Sequence, residues 1–266
     1  MNGTVTGEGT TWVLLRGLTR ERAHWGPFME QLQARAPGAR VLGLDLPGNG
    51  QWHRQRSPTC VAAMVDAARA QLADMQAKPP YHLLALSLGA MVALDWATRY
   101  PQELAGGVLL NTSLARFSPF HHRLRPANYA ALLGLLAGRG GVAGREATLL
   151  SLTSARPEAH PGVVALWIAI SRTRPVSAAN ALRQLLAALR YRAPAEAPAV
   201  PLLVLVGAGD RFVDPRCSHA LARAWQLPLI EHPSAGHDLP LDDGGWVVEQ
   251  AVRWATDAPA SAGQAR

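Results

Sequence analysis

The chain has little cysteine, almost no lysine, few aromatic residues and no long apolar run. Its two cysteines, Cys60 and Cys217, lie far apart in 266 residues. They fit neither a disulfide framework nor a metal site, and neither adjoins an activating base, so both read as small buried or half-buried side chains. Lysine occurs once, at Lys78, and no Lys/Arg-rich block forms a basic tail, so nucleic acid is not an expected partner. No uninterrupted apolar run reaches the roughly 18 residues that suggest a membrane span. Met1 to Thr11 is polar and Gly/Thr-rich, without the charged and apolar regions of a secretion signal. The expectation is a cytoplasmic protein. No metal-ligand spacing or dinucleotide glycine pattern appears, and Gly48-Asn49-Gly50 makes no phosphate-binding loop, so no cofactor is expected.

What is present is apolar content and an uneven charge. Hydrophobic residues make up 48% of the chain, enough for one α/β domain with an insertion. Net charge is +7, yet Leu114 to Ala195 holds eleven arginines against Glu146 and Glu158 alone, leaving about −2 elsewhere. Most of those arginines read as a solvated helical surface.

Along the chain, short apolar runs alternate with helical patterns. Strands are expected from Thr11 to Gly17, Arg40 to Leu46, Tyr81 to Leu86 and Gly106 to Thr112. Helices are expected from Ala23 to Ala34, from Thr59 to Met75 with Thr59 as N-cap, and from Ser87 to Tyr100. Strands nearly all apolar, alternating with helices, indicate a parallel sheet covered on both faces. The alternation stops between residues 114 and 198, where helices are separated by Gly, Pro and Arg. It resumes with a strand from Val200 to Gly207, a helix from Cys217 to Trp225, a short strand at Pro228 to Glu231 and a helix from Gly245 to Thr256. Residues 258–266 read as a disordered tail.

The chemistry concentrates at Tyr81-His-Leu-Leu-Ala-Leu-Ser87-Leu-Gly-Ala. A strand ends at Ser87 and a helix begins at once, so the serine sits on a very tight turn flanked by the small Ala85 and Gly89. The N-terminus of the helix offers backbone N–H groups beside the hydroxyl. This stretch resembles the nucleophile elbow of the α/β-hydrolase superfamily, with Ala85 in place of the first glycine of Gly-x-Ser-x-Gly. Asp45-Leu-Pro-Gly-Asn-Gly50 resembles that family's structural Asp-x-x-Gly-x-Gly turn. The resemblance covers roughly residues 11–113 and 199–257 and implies an α/β-hydrolase core with 114–198 as a helical cap or lid. Compared with the family, the chain starts just before what would be the third strand.

The resemblance implies a Ser, acid, His order for a catalytic triad. Asp210, in Leu202-Val-Leu-Val-Gly-Ala-Gly-Asp210, matches the acid, with Asp214 its competitor. His237, in Ser234-Ala-Gly-His237-Asp, matches the base, and His232 is the nearest rival. The oxyanion donors implied are the backbone N–H groups of Leu88 and, from Arg16-Gly17-Leu18, of Leu18. Arg16 departs from the family's histidine there; it either holds a substrate carboxylate or pairs with a nearby acid. Trp25, Phe117, Phe120, Tyr129 and Trp167 are candidates for an apolar substrate pocket. The implied reaction is hydrolysis of a carboxylic ester, or a thioester, through an acyl-enzyme. Perhydrolysis and carbon–carbon bond hydrolysis use the same triad and stay open, as does a non-catalytic ligand-binding member of the fold. A serine at the elbow argues against the epoxide hydrolase and dehalogenase branches, which need a carboxylate there. The chain also loosely resembles the pimeloyl-carrier methyl esterases, which implies an acidic acyl carrier protein docking at the lid, with Arg123 and Arg125 as contacts.

Overall fold

The computed structural model describes residues 10–257; the tail read at 258–266 lies outside them. Among these residues, β1 (Thr11–Leu15), β2 (Arg40–Leu44), β3 (Tyr81–Leu86), β4 (Leu104–Leu110), β5 (Leu202–Gly207) and β6 (Leu229–His232) form one sheet. The order is β2-β1-β3-β4-β5-β6, and every neighbouring pair is parallel. Alternate residues of each strand feed two cores. Val13, Leu15, Leu83 and Ala85 pack in the core shared with α2 (Val61–Asp74) and α3 (Leu88–Arg99). Trp12, Leu14, Leu84 and Leu86 pack in the core shared with α1 (Phe28–Arg35) and α11 (Gly244–Asp257). Burial on both faces is why these strands are apolar at every position rather than at every second one.

The strand order reverses between β1 and β3. Loops leaving the carboxyl ends of strands at such a switch point diverge and leave a crevice, where open α/β sheets place their ligands. Here the diverging segments are Arg16–Thr19 after β1 and Ser87 after β3. From β4 to β5 the described chain is helical: α4 (Phe120–Arg123), α5 (Tyr129–Leu136), α6 (Gly141–Thr153), α7 (Val163–Thr173) and α8 (Ala178–Arg190), with short 3-10 turns between them. After β5 come α9 (Arg216–Trp225) and, after β6, the short α10 (Leu239–Asp242).

Three local expectations need correction, and one short helix was not expected. The run from Ala23 to Ala34 is not one helix: a 3-10 turn over Arg22–Trp25 ends at Gly26 (φ 52°, ψ −134°), and α1 starts only after Pro27. Proline restricts the residue before it, so regular apolar spacing does not carry a helix through Gly26-Pro27. Thr59 does not cap α2; the N-cap is Cys60, which makes no side-chain capping bond. Cys60 is exposed, whereas Cys217 is buried, and both are free thiols. Finally, α10 is too short to show a periodic pattern in the sequence. No helix of the described residues is long and apolar enough to cross a membrane.

Candidate active site

Ser87 has φ 56° and ψ −114°, a conformation that side-chain-bearing residues rarely adopt. The surroundings hold it there. Its N–H donates to the Leu110 carbonyl at 3.0 Å, and its own carbonyl accepts from Ala90 N–H at 3.1 Å and from Thr112 Oγ1 at 3.1 Å. Space is equally tight: a Cβ on Gly89 would collide with the carbonyl oxygens of Leu15 and Arg16, and one on Gly17 would come within 3.2 Å of Ser87 Cβ. Glycine at 17 and 89 therefore lets β1, β3 and α3 converge under the serine. Leu88 opens α3, whose first N–H groups have no acceptor within the helix. Leu18 follows Gly17 on the loop after β1.

Asp210 follows β5 and is 2% exposed. Its Oδ1 accepts from the N–H groups of Phe212 at 2.8 Å and Val213 at 2.9 Å, which fixes the carboxylate. Its Oδ2 meets His237 Nδ1 at 2.7 Å. Phe212 covers the imidazole, ring centroids 5.0 Å apart. The His237 loop is pinned by Asn111, at the end of β4: its Nδ2 donates to the carbonyls of Gly236 and His237, both at 2.9 Å, and its Oδ1 accepts from Gly207 N–H at 2.9 Å. Asp242 accepts from Gly236 N–H at 2.6 Å on the same loop. Phe212, Asn111 and Asp242 were not singled out by sequence. The only signal for Asn111 was a polar residue closing an apolar strand.

The rivals have other work. Asp214 accepts from the side chains of Arg216 at 2.7 Å and Arg125 at 3.1 Å, and the Arg216 hydrogen bond, against the effect of burial, holds its carboxyl below the usual range. It starts α9 and ties the segment before α5 to the core. His232 Nδ1 accepts from Ala235 N–H at 2.8 Å, and Nε2 lies 3.3 Å from Asp243.

Arg16 is 2% exposed and forms a bidentate pair with Asp238, at 3.0 and 2.6 Å. Its guanidinium also lies over the Trp25 ring, 4.8 Å from the centroid. Burial alone would raise the Asp238 pKa, but the Arg16 charge and hydrogen bonds keep it below the ordinary value. Of the two roles open to Arg16, the structure thus places it against a neighbouring acid. Arg16, Trp25 and Trp167 line a cleft of about 330 Å³ whose walls do not include Ser87 or His237. The other pocket candidates are elsewhere. Phe117 packs edge-on against Trp225, centroids 5.4 Å apart, and serves the core. Phe120 is 67% exposed on the surface of α4. Tyr129, half-buried, opens α5 next to Asn128, whose Nδ2 donates to the carbonyls of Arg211 and Phe212. Among the described residues no cluster of His, Cys, Asp and Glu could hold a metal.

A sheet of this topology with a strained serine after β3 and a buried His–Asp pair after β5 and β6 defines a class of protein. The model of the alpha/beta hydrolase family matches residues 12–250, and the chain belongs to that family. It is 35% identical over 98 residues to the pimeloyl-[acyl-carrier protein] methyl ester esterase of Xylella fastidiosa, covering 37% of this chain and 35% of that protein. It is 28% identical over 127 residues to the protein PHYLLO, chloroplastic, of Arabidopsis thaliana, covering 45% of this chain but 7% of that one. The chain thus spans about a third or less of the curated relatives it matches. A thermophilic esterase from Thermogutta terrifontis superposes with a TM-score of 0.72 at 23% identity, over 94% of this chain and 90% of that one. That last likeness is one of fold.

Proposed function

We propose that this chain is a serine hydrolase of carboxylic esters, with residues 1–113 and 199–257 as the hydrolase core and 114–198 as a cap. The Ser87 hydroxyl attacks the ester carbonyl while His237 Nε2 takes its proton. Asp210, on Nδ1, holds the ring in the required tautomer and stabilises the imidazolium. The backbone N–H groups of Leu18 and Leu88 stabilise the oxyanion, each such donor being worth about 10²–10³ in rate. His237 then returns the proton to the leaving alkoxide, and water repeats the sequence on the acyl-enzyme. The observation that carries this reading is the buried 2.7 Å contact between His237 and Asp210, at the same carboxyl edge of the sheet as Ser87.

The proposal extends to a small-molecule ester as substrate, presented free or on an acidic acyl carrier protein, the latter favoured by the arginine excess of the cap. Of the two arginines expected at that surface, Arg123 donates to the Ala188 carbonyl at 2.8 Å, and Arg125 pairs with Asp214 while its side chain stays 37% exposed. Docking would fall to exposed arginines such as Arg139, Arg172, Arg190 and Arg192. A cytoplasmic setting is part of the same proposal, since a reducing compartment keeps an exposed thiol such as Cys60 free.

The test is intact mass after a fluorophosphonate probe, with nitrophenyl ester hydrolysis alongside, for the wild type and Ser87→Ala. Single labelling and turnover should both vanish in the variant. A folded wild type that neither labels nor turns over would refute the reading.

A further inference from the structure

The loop after β1 is held from above by the cap. Gly17 carbonyl and Arg20 N–H close a turn at 3.3 Å, with Leu18 and Thr19 at its centre. Thr19 has φ 60°, the third position of a turn where glycine or asparagine ordinarily stands. A β-branched residue keeps that conformation only if its neighbours impose it. The imposing group is Gln184 of α8, whose Oε1 accepts from the Thr19 N–H at 2.8 Å.

Gln184 is wholly buried and its amide is fully used. Nε2 donates to Asn49 Oδ1 at 2.8 Å and to Ser57 Oγ at 3.0 Å. Asn49 in turn donates from Nδ2 to the Arg20 carbonyl at 2.9 Å, so the turn is gripped at Thr19 and again at Arg20. One helical turn earlier on the same face of α8, Asn180 accepts from Ser57 N–H at 2.9 Å and donates to the Gln55 carbonyl at 2.8 Å. Asn180 fastens the cap but does not touch the turn. A buried network in which every member is satisfied holds its atoms in one arrangement.

We infer that Gln184 is a positioning residue for the oxyanion loop: by holding the Thr19 N–H it keeps the turn that presents Leu18 N–H, and it makes seating of α8 a condition for fast chemistry. This rests on the reading of Leu18 N–H as an oxyanion donor for Ser87. Misplacing a group by about 1 Å can cost on the order of 100-fold in rate. Donors aimed at charge that develops in the transition state act on kcat rather than on ground-state binding.

Steady-state hydrolysis of a short nitrophenyl ester tests it in four proteins: wild type, Gln184→Met, Asn180→Leu, and Gln184→Met combined with Thr19→Gly. Far-UV circular dichroism would verify folding. Gln184→Met should lower kcat by roughly 10- to 100-fold with KM within about threefold, whereas Asn180→Leu should keep kcat within about threefold. Glycine at 19 adopts positive φ without strain, so the double variant should recover at least half of the loss on a logarithmic scale. A wild-type kcat in folded Gln184→Met, an equal loss in Asn180→Leu, or no recovery with Thr19→Gly would each overturn the assignment. Should Gln184→Met not fold, Gln184→Asn, whose neutral amide is one methylene too short to reach the Thr19 N–H, decides with and without Thr19→Gly: a kcat loss that glycine recovers supports the assignment, and a wild-type kcat or a loss that glycine does not recover overturns it. Turnover surviving in Ser87→Ala would instead overturn the nucleophile reading, a result separate from this comparison.

Discussion

Single residues show where sequence is a good guide and where it is not. Ser87 and Asp210 stand just past apolar strands, the first with Ala85 and Gly89 two positions either side and the second beside Gly209, and His237 follows Gly236 on the loop after β6, so that local signature is visible in one dimension. The partner of Arg16 is not, because Asp238 lies 222 positions away and only folding makes them neighbours. His82 is a second case. It sits on β3, stacks on Trp12 with centroids 5.0 Å apart and meets the edge of Trp254 at 6.5 Å. Its Nδ1 is buried without a hydrogen-bond partner. Burial therefore lowers its pKa to about 4, against about 6.5 in the unfolded chain. Below pH 6.5 the unfolded chain takes up a proton that the folded chain refuses, so this contribution to stability is complete above about 6.5 and is lost as pH falls towards 4. The shift corresponds to about 3 kcal/mol at most, and solvent reaching the half-buried ring reduces it to about 1–2 kcal/mol. Urea unfolding at pH 7.5 and 4.5 should show His82→Phe losing less stability on acidification than the wild type by that amount. Identical losses would mean that His82 is solvated in the folded protein.

Elements were legible as kinds but not as orientations. The strands and the helical interruption follow from apolar runs and their spacing, whereas the order of the strands in the sheet and the facing of a helix depend on what each element meets. In α8 the buried positions include Asn180 and Gln184, while Leu182 and Leu189 are 48% and 49% exposed. Periodicity alone would turn the leucines inward; the polar clamp on the loops around Asn49 and Ser57 turns them out. The convergence of β1, β3 and α3 is better marked, because it demands a missing side chain. Alanine is the better helix former by about 1 kcal/mol, yet a methyl on Gly89 meets the backbone carbonyls of Leu15 and Arg16, which cannot swing aside. Overpacking of this kind costs about 1–3 kcal/mol or more, so Gly89→Ala should lower both the urea midpoint and esterase turnover. The matched control is Gly144→Ala within α6, where a Cβ meets nothing within 4 Å; it should raise stability by up to about 1 kcal/mol. If both substitutions moved stability the same way, the strand–helix approach would not be what fixes glycine at 89.

At the scale of the molecule, ion pairs and hydrogen bonds fasten the proposed cap to the core beside apolar contacts such as those of Leu150, Trp167 and Ile170 with Ala23 and Leu241. Arg20 meets Glu146 at 2.6 Å, with side chains 10% and 2% exposed, and its guanidinium lies 4.0 Å from the Trp167 ring centroid. Arg174 meets Glu21 at 2.6 Å, and His160 meets Asp242 at 3.1 Å. These contacts tie α6, α7 and the segments beside them to the loops after β1 and β6. They also engage one of the two acids of the region, since Glu146 lies buried among arginines while Glu158 is exposed. With eleven arginines against two glutamates, residues 114–195 are cationic while the rest of the chain carries the opposite sign, and on the proposed carrier docking this segment would attract an acidic partner. An attraction of that kind acts on association and is screened over a Debye length, about 10 Å at 0.1 M salt and about 3 Å at 1 M. We therefore expect kcat/KM on a carrier-borne ester to fall by about tenfold between 0.05 and 0.5 M sodium chloride, with the rate on a short nitrophenyl ester unchanged. The second substrate isolates the docking step, because on the proposed mechanism both would pass through the same Ser87 chemistry. A fall of equal size on both would place the salt effect at the active site or in the seating of the cap, and an acidic carrier would then have no role at this surface.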